Sequence, residues 1–130
     1  MPDARDLLPL KPLVFQVLLA LSGGERHGWS LVREIQQRTE GRRVLPANFY
    51  RTLRMMLTEG LIEETAAPRD DRDAVHERRY FRLTTFGKQA AQLEARRLQD
   101  VVADARTRRL LKTTSGGVRR TGVRPRNAGV

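Results

Sequence analysis

The sequence predicts a mainly α fold with one small β-hairpin, an α+β arrangement of three short helices, the hairpin, and a long final helix. Three observations predict it. Apolar residues recur with a helical period in three segments, each closed by glycine. The period then shortens to that of a strand over Leu61–Thr65 and again over Tyr80–Leu83, on either side of a polar segment. Finally, a run without proline extends from Thr85 to about Lys112, long enough for many helical turns.

The first helix begins near Pro9 to Pro12. Val14, Val17, Leu18 and Leu21 recur at i, i+3, i+4 and i+7 and make one apolar stripe. Gly23 and Gly24 end it, supplying the backbone freedom that helix ends use. A second helix runs from Gly28 to about Thr39 with Leu31, Val32 and Ile35 facing inward, and Gly41 ends it. Arg42, Arg43, Val44 and Leu45 form a short extended link. Pro46 then takes a first helical position, where its missing N–H costs nothing. Phe49, Leu53, Met56 and Leu57 fall on one face of this third helix, which Gly60 closes. The opposite face carries Ala47, Arg51, Arg54 and Thr58, flanked by Asn48, Tyr50 and Met55.

Between the two strands, Ala66 to Val75 holds Pro68 and the cluster Arg69, Asp70, Asp71, Arg72, Asp73, too polar for a core and suited to a hairpin loop. Thr84 is a good N-cap for the helix that follows. Along that helix Ala91, Ala95, Leu98, Val102 and Ala105 step by 4, 3, 4 and 3, the spacing of a coiled-coil seam. Ser, Gly, Arg and Pro dominate from Thr113 onward, which predicts disorder. The expected organisation is therefore a body over 1–83, a dimerisation helix over 84–112 and a basic tail over 113–130.

Charge sharpens this division. The net charge is +10, but residues 105–130 hold eight basic residues and no acid, leaving the body only +2. High basicity thus reports mostly the tail, and by itself argues little about the body. With no cysteine, disulfides, thiolate zinc sites and thiol nucleophiles are excluded. The longest apolar stretch, Val17–Leu21, is far short of the ~20 residues of a membrane span, and Asp3 and Asp6 give the wrong charge for a signal peptide. The expectation is a cytoplasmic protein with no membrane partner.

Helix, helix, helix, hairpin and long helix is the order of a winged helix-turn-helix with a C-terminal extension. A B-DNA major groove admits one α-helix, and a third helix that buries one face while presenting Arg and Asn on the other suits it. Arginine donates a bidentate pair to guanine, or clamps phosphates and so fixes position without reading sequence. The charged hairpin loop is placed to lie along the backbone or the adjacent minor groove.

Three stretches carry a family resemblance. Leu18-Leu-Ala-Leu-Ser-Gly-Gly-Glu-Arg-His-Gly-Trp resembles the opening of PadR-type transcriptional regulators, which often read LLAL…G…HGY. Pro46-Ala-Asn-Phe-Tyr-Arg-Thr-Leu-Arg, with Leu57 and Gly60-Leu-Ile-Glu-Glu, looks like their recognition helix and first wing strand. Arg79-Tyr-Phe-Arg-Leu-Thr-Thr-Phe-Gly resembles their second wing strand and last-helix cap. The match covers roughly residues 10–110 and places the chain in the short subgroup, without the larger C-terminal domain of some members. Trp29 stands where tyrosine is usual. Leu45, Ala47 and Asn48 depart from the family's usual Ser or Thr, Gly and Thr. The resemblance implies a winged-helix domain on double-stranded DNA, homodimerisation through the last helix, usually repression, and room for a small-molecule effector. It also maps Tyr50 and Arg51 onto positions that commonly meet DNA.

The candidate DNA-binding residues are Arg42, Arg43, Asn48, Tyr50, Arg51, Arg54, Arg72 and Arg78, and the candidate dimer seam is Ala91, Ala95, Leu98, Val102 and Ala105. Tyr50 fits equally a packing role beneath the wing with its hydroxyl outside. No cofactor or metal is implied. His27 and His76 are too distant in sequence to suggest a site, and His27 is expected to cap or pack at the start of the second helix. Asp70, Asp71 and Asp73 resemble a calcium loop only until its last position, which holds Phe81 instead of Glu. Ser22, Ser30 and Ser115 lie in no nucleophile-elbow context and no phosphate-binding glycine loop occurs, so an enzyme is not expected. A winged helix used as a protein–protein adaptor is the alternative, and the body's low net charge favours it.

Overall fold

A computed structural model describes residues 3–38, 46–66 and 79–112, with Pro46 and Ala47 described by backbone alone. A 3-10 turn, Ala4–Leu7, precedes α1 (Pro12–Leu21), β1 (Arg26–His27), α2 (Gly28–Arg38), α3 (Pro46–Thr58), β2 (Ile62–Thr65), β3 (Tyr80–Leu83) and α4 (Thr85–Thr107). The chain divides into two compact units, Met1–Arg97 and Leu98–Val130, with α4 contributing residues to both.

The core of the first unit is built from the stripes that periodicity predicts. Val14, Val17, Leu18 and Leu21 of α1 meet Leu31, Val32 and Ile35 of α2 and Phe49, Leu53 and Met56 of α3. Leu61, Ile62 and Phe81 close it from the sheet and Ala90 from α4. Arg38 ties the end of α2 to α1, donating to the carbonyl of Gln16 at 2.9 Å and to its side-chain oxygen at 3.1 Å.

The sheet has three antiparallel strands in the order β1-β3-β2. The hairpin pairs Ile62 with Leu83 and Thr65 with Tyr80. β1, absent from the sequence reading, places Arg26 opposite Phe81 and His27 opposite Tyr80. Two residues are too few to display a period, so only the pairing reveals this strand. β2 begins at Ile62 and not at Leu61, because the backbone of Leu61 is already committed. Gly60 adopts a left-handed conformation (φ +77°) at the end of α3. There Gly60 N–H donates to Leu57 O at 3.2 Å and Leu61 N–H to Met56 O at 2.9 Å, the paired bonds of a Schellman cap.

The same point anchors α4. Thr84 N–H donates to Leu61 O at 3.2 Å, and the Thr84 hydroxyl lies 2.5 Å from Gly60 O and 3.1 Å from Leu61 O. That hydroxyl also accepts from Gly87 N–H at 2.9 Å, so Thr84 caps α4 as expected. The helix start then packs so closely on Leu61 that a Cβ on Gly87 would stand 1.9 Å from the Leu61 carbonyl oxygen.

Gly87, Ala90 and Glu94 are the buried positions of α4, with Phe86, Ala91 and Leu93 partly buried against the core. Glu94 is only 2% exposed. Its carboxylate accepts two hydrogen bonds from Arg97, at 2.7 and 2.8 Å, and one from the backbone N–H of Leu10. Those bonds, against the opposing effect of burial, hold its carboxyl below the usual carboxylate range. Ala4 and Leu10 are buried on the same unit, so the N-terminal segment is part of the core.

In the second unit α4 ends at Thr107, short of the expected Lys112. Arg109 turns left-handed (φ 63°), Arg109 N–H donates to Arg106 O at 2.9 Å and Leu110 N–H to Ala105 O at 2.8 Å. This is the cap geometry seen after α3, formed without a glycine to announce it. Val101, Val102, Leu110 and Leu111 are exposed. No helix among the described residues is long and apolar enough to cross a membrane.

Candidate nucleic-acid interface

Burial of Phe49, Leu53 and Met56 fixes the rotation of α3. Asn48, Arg51, Arg54 and Thr58 are therefore exposed, as the sequence reading requires. Arg51 donates to the Asn48 side-chain oxygen at 3.3 Å. Among the described residues this is the one hydrogen bond of the guanidinium, which has further N–H donors. Tyr50 is partly packed and partly exposed. Its ring packs edge-on against Phe49 with centroids 5.3 Å apart and lies over the start of α2, where a Cβ on Gly28 would be 3.5 Å from it. Even so the residue remains 46% exposed.

The strands of the wing are largely self-neutralised. Arg79 grips Glu64 with two bonds of 2.7 and 2.9 Å, and Arg82 Nε donates to Glu63 at 2.7 Å. The Arg79 guanidinium holds the Glu64 carboxyl below its ordinary range and is itself raised. It also lies 5.7 Å from the Phe81 ring centroid. Arg42, Arg43, Arg72 and Arg78, the other candidate DNA contacts, lie outside the described residues.

α2 adds features the sequence reading passed over. Arg26 pairs with Glu34 at 2.6 Å and donates to Ser30 Oγ at 3.0 Å, while Arg38 meets the other Glu34 oxygen at 2.8 Å. His27 Nδ1 accepts from Ser30 N–H at 3.1 Å, which places it at the start of α2 as expected. Its ring meets that of Tyr80 edge-on at 5.4 Å. Trp29 and Arg33 point outward one turn apart, and Trp29 is 61% exposed. Their spacing against Leu31 and Ile35 was a readable signal of an outer face. Among the described residues no cluster of three or more His, Asp or Glu could hold a metal.

The α4 stripe behaves unevenly. Ala91, a candidate seam residue, packs partly on the chain's own core. A short side chain on the edge of the Gly87–Ala90–Glu94 face is drawn into that packing. Ala95 and Val102 are exposed, whereas Leu98 and Ala105 are half-buried.

A helical body that presents a cationic third helix beside a β-hairpin defines a winged helix-turn-helix protein. Residues 17–93, more than half of the chain, match the model of the transcriptional regulator PadR-like family, and the chain belongs to that family. Its members are transcriptional regulators and not enzymes. Among solved structures, a PadR family transcription regulator from Clostridium difficile R20291 is similar with a TM-score of 0.62 at 16% identity, covering 75% of this chain and 97% of that one. A transcriptional regulator from Clostridium thermocellum gives 0.57 at 17%, covering 77% and 90%. RosR of H. salinarum gives 0.55 at 20%, covering 79% and 99%. At these identities the likeness is one of fold. No curated protein matches the chain.

Proposed function

We propose that this transcriptional regulator is a cytoplasmic repressor that binds a palindromic operator as a homodimer, with α3 in the major groove. One observation carries the reading: Phe49, Leu53 and Met56 are buried, so α3 has a single way to present itself, and that way exposes Asn48, Arg51 and Arg54 together. Homodimerisation is supported by the exposed apolar residues Val101 and Val102 on the last turns of α4, beside Leu98. A dimer suits a palindrome, because two recognition helices enter major grooves about one turn, ~34 Å, apart.

Selection of genomic fragments on the full chain supplies the operator, and gel-shift titration at fixed salt gives the ratio of specific to non-specific affinity. A bidentate arginine–guanine pair discriminates by ~1–3 kcal/mol, whereas a lost phosphate contact weakens all duplexes alike. At least one of Arg51→Ala and Arg54→Ala should lower the ratio without altering folding. If both keep it, α3 does not read bases through these arginines. The adaptor reading draws support from the neutralised wing pairs Arg79–Glu64 and Arg82–Glu63. It is the surviving one if no duplex binds with a salt-dependent affinity.

A further inference from the structure

We infer that Asn48 and Arg51 read the operator as one donor-only unit, so that guanine, and not adenine, stands opposite the start of α3. This rests on the regulatory reading above and specifies the sequence that the site selects. An isolated asparagine favours adenine, because its amide offers an acceptor and a donor side by side to adenine N6 and N7. Asn48 is not isolated. Its side-chain oxygen accepts from Arg51 Nη1–H at 3.3 Å, so the end of the amide directed away from Arg51 is the NH2 group, a donor. The oxygen, held on a cation, is withdrawn from the two-point geometry that adenine requires.

The rest of the face has the same polarity. Arg51 is a donor only, as is Arg54 one turn further on, and both are exposed. α3 contains no Asp or Glu, so no carboxylate offers an acceptor to the amino groups of cytosine or adenine. The Thr58 hydroxyl is turned back on the helix, donating to the Arg54 carbonyl at 3.0 Å. In the major groove only guanine presents two acceptors, N7 and O6, and no donor. Asn48 and Arg51 are the third and sixth residues of α3, in the N-terminal part that reaches base edges in helix-turn-helix docking. Three residues advance a helix by ~4.5 Å and base pairs stack ~3.4 Å apart, so the unit spans two neighbouring pairs. Arg51 takes one guanine through N7 and O6, and the Asn48 amide donates to the guanine of the next pair.

The experiment is selection from randomised duplexes by the full chain at fixed salt, followed by gel-shift titration of the recovered half-site. Wild type should recover guanine at two neighbouring positions. Asn48→Ala should lose the preference at one of them, which identifies the position that Asn48 reads. Arg51→Ala releases the Asn48 oxygen, so selection with this variant should change that same position from guanine to adenine. A purely structural role for Arg51 would not reverse a base preference. Adenine in place of the guanine opposite Arg51 should weaken wild-type binding by about five- to 150-fold. Replacing that guanine by 7-deazaguanine, which lacks the N7 acceptor, should weaken it by about three- to tenfold. Circular dichroism checks that both variants fold.

If wild type recovers a specific half-site but Asn48→Ala relaxes an adenine, or relaxes no position, the donor-only unit is refuted and the regulatory reading stands. The same holds if Arg51→Ala keeps guanine at the position that Asn48 reads, since the two side chains then act separately. If Arg51→Ala binds too weakly for selection, the 7-deazaguanine titration decides, and an unchanged affinity overturns the assignment. A chain that binds no duplex, or binds all duplexes alike, overturns the sequence-reading role of α3 and the unit with it.

Discussion

Replacing Gly87 with alanine sets two physical effects against each other. By helix propensity alone the change stabilises, since alanine is favoured over glycine within a helix by ~1 kcal/mol. Packing argues the reverse. The new Cβ would lie 1.9 Å from the Leu61 carbonyl oxygen, 2.9 Å from its carbon and 3.3 Å from Leu61 Cα. Carbon–oxygen contacts normally stay near ~3.3 Å, so backbone must separate by more than about 1 Å. The displaced carbonyl is also the acceptor for Thr84 N–H and a neighbour of the Thr84 hydroxyl that caps α4. Overpacking costs ~1–3 kcal/mol, and each weakened hydrogen bond ~0.5–1.5 kcal/mol. Set against the propensity gain, the net loss should be about 1–4 kcal/mol. For a domain of this size that is a fall in Tm of roughly 5–25 °C. Thermal unfolding followed by circular dichroism measures it. Gly23→Ala is the matched control, because nothing lies within 4 Å of its added Cβ, and it should shift Tm little. If Gly87→Ala is as stable as wild type or more so, the close approach of α4 to Leu61 is wrong.

Glu94→Leu should destabilise by about 1–3 kcal/mol in urea unfolding, because it leaves the buried Leu10 N–H without its acceptor. Glu94 has a folded-state pKa below its ordinary value of 4.5, so its contribution is complete above that pH and is lost as pH falls through the folded value. Wild type should therefore lose more stability than Glu94→Leu on acidification below about pH 4.5, and equal losses would sink the assignment. The double variant Leu98→Glu, Val102→Glu should be monomeric by light scattering; a persisting dimer would place the interface elsewhere. Removing residues 113–130 takes away Arg119, Arg120, Arg124 and Arg126 and should weaken all duplexes by similar factors while flattening the salt slope. Selective loss at one operator would show instead that the tail reads sequence.

Much of this protein follows from residue order alone, wherever an interaction is local or periodic. Val14, Val17, Leu18 and Leu21 form a stripe because helical geometry repeats every 3.6 residues, whatever packs against it. Gly60, Thr84 and Pro46 mark helix ends because caps depend on backbone groups only a few residues away. The outward direction of Arg51 and Arg54 follows from the inward direction of Phe49 and Leu53, so the candidate reading face was legible before any contact was known.

Tertiary structure decided what depends on residues distant in sequence. β1 exists because Arg26 and His27 meet Phe81 and Tyr80, more than fifty positions away. Glu94 is buried, where Arg97 and the distant Leu10 satisfy it. Gly87 is where α4 closes on Leu61, twenty-six positions earlier in the chain. Arg79 and Arg82 are paired with Glu64 and Glu63 across the hairpin, partners fifteen and nineteen positions away. A sequence records which groups need partners; only the folded chain determines which partners they find, because hydrogen bonds and close contacts act over a few ångströms of space and not along the chain.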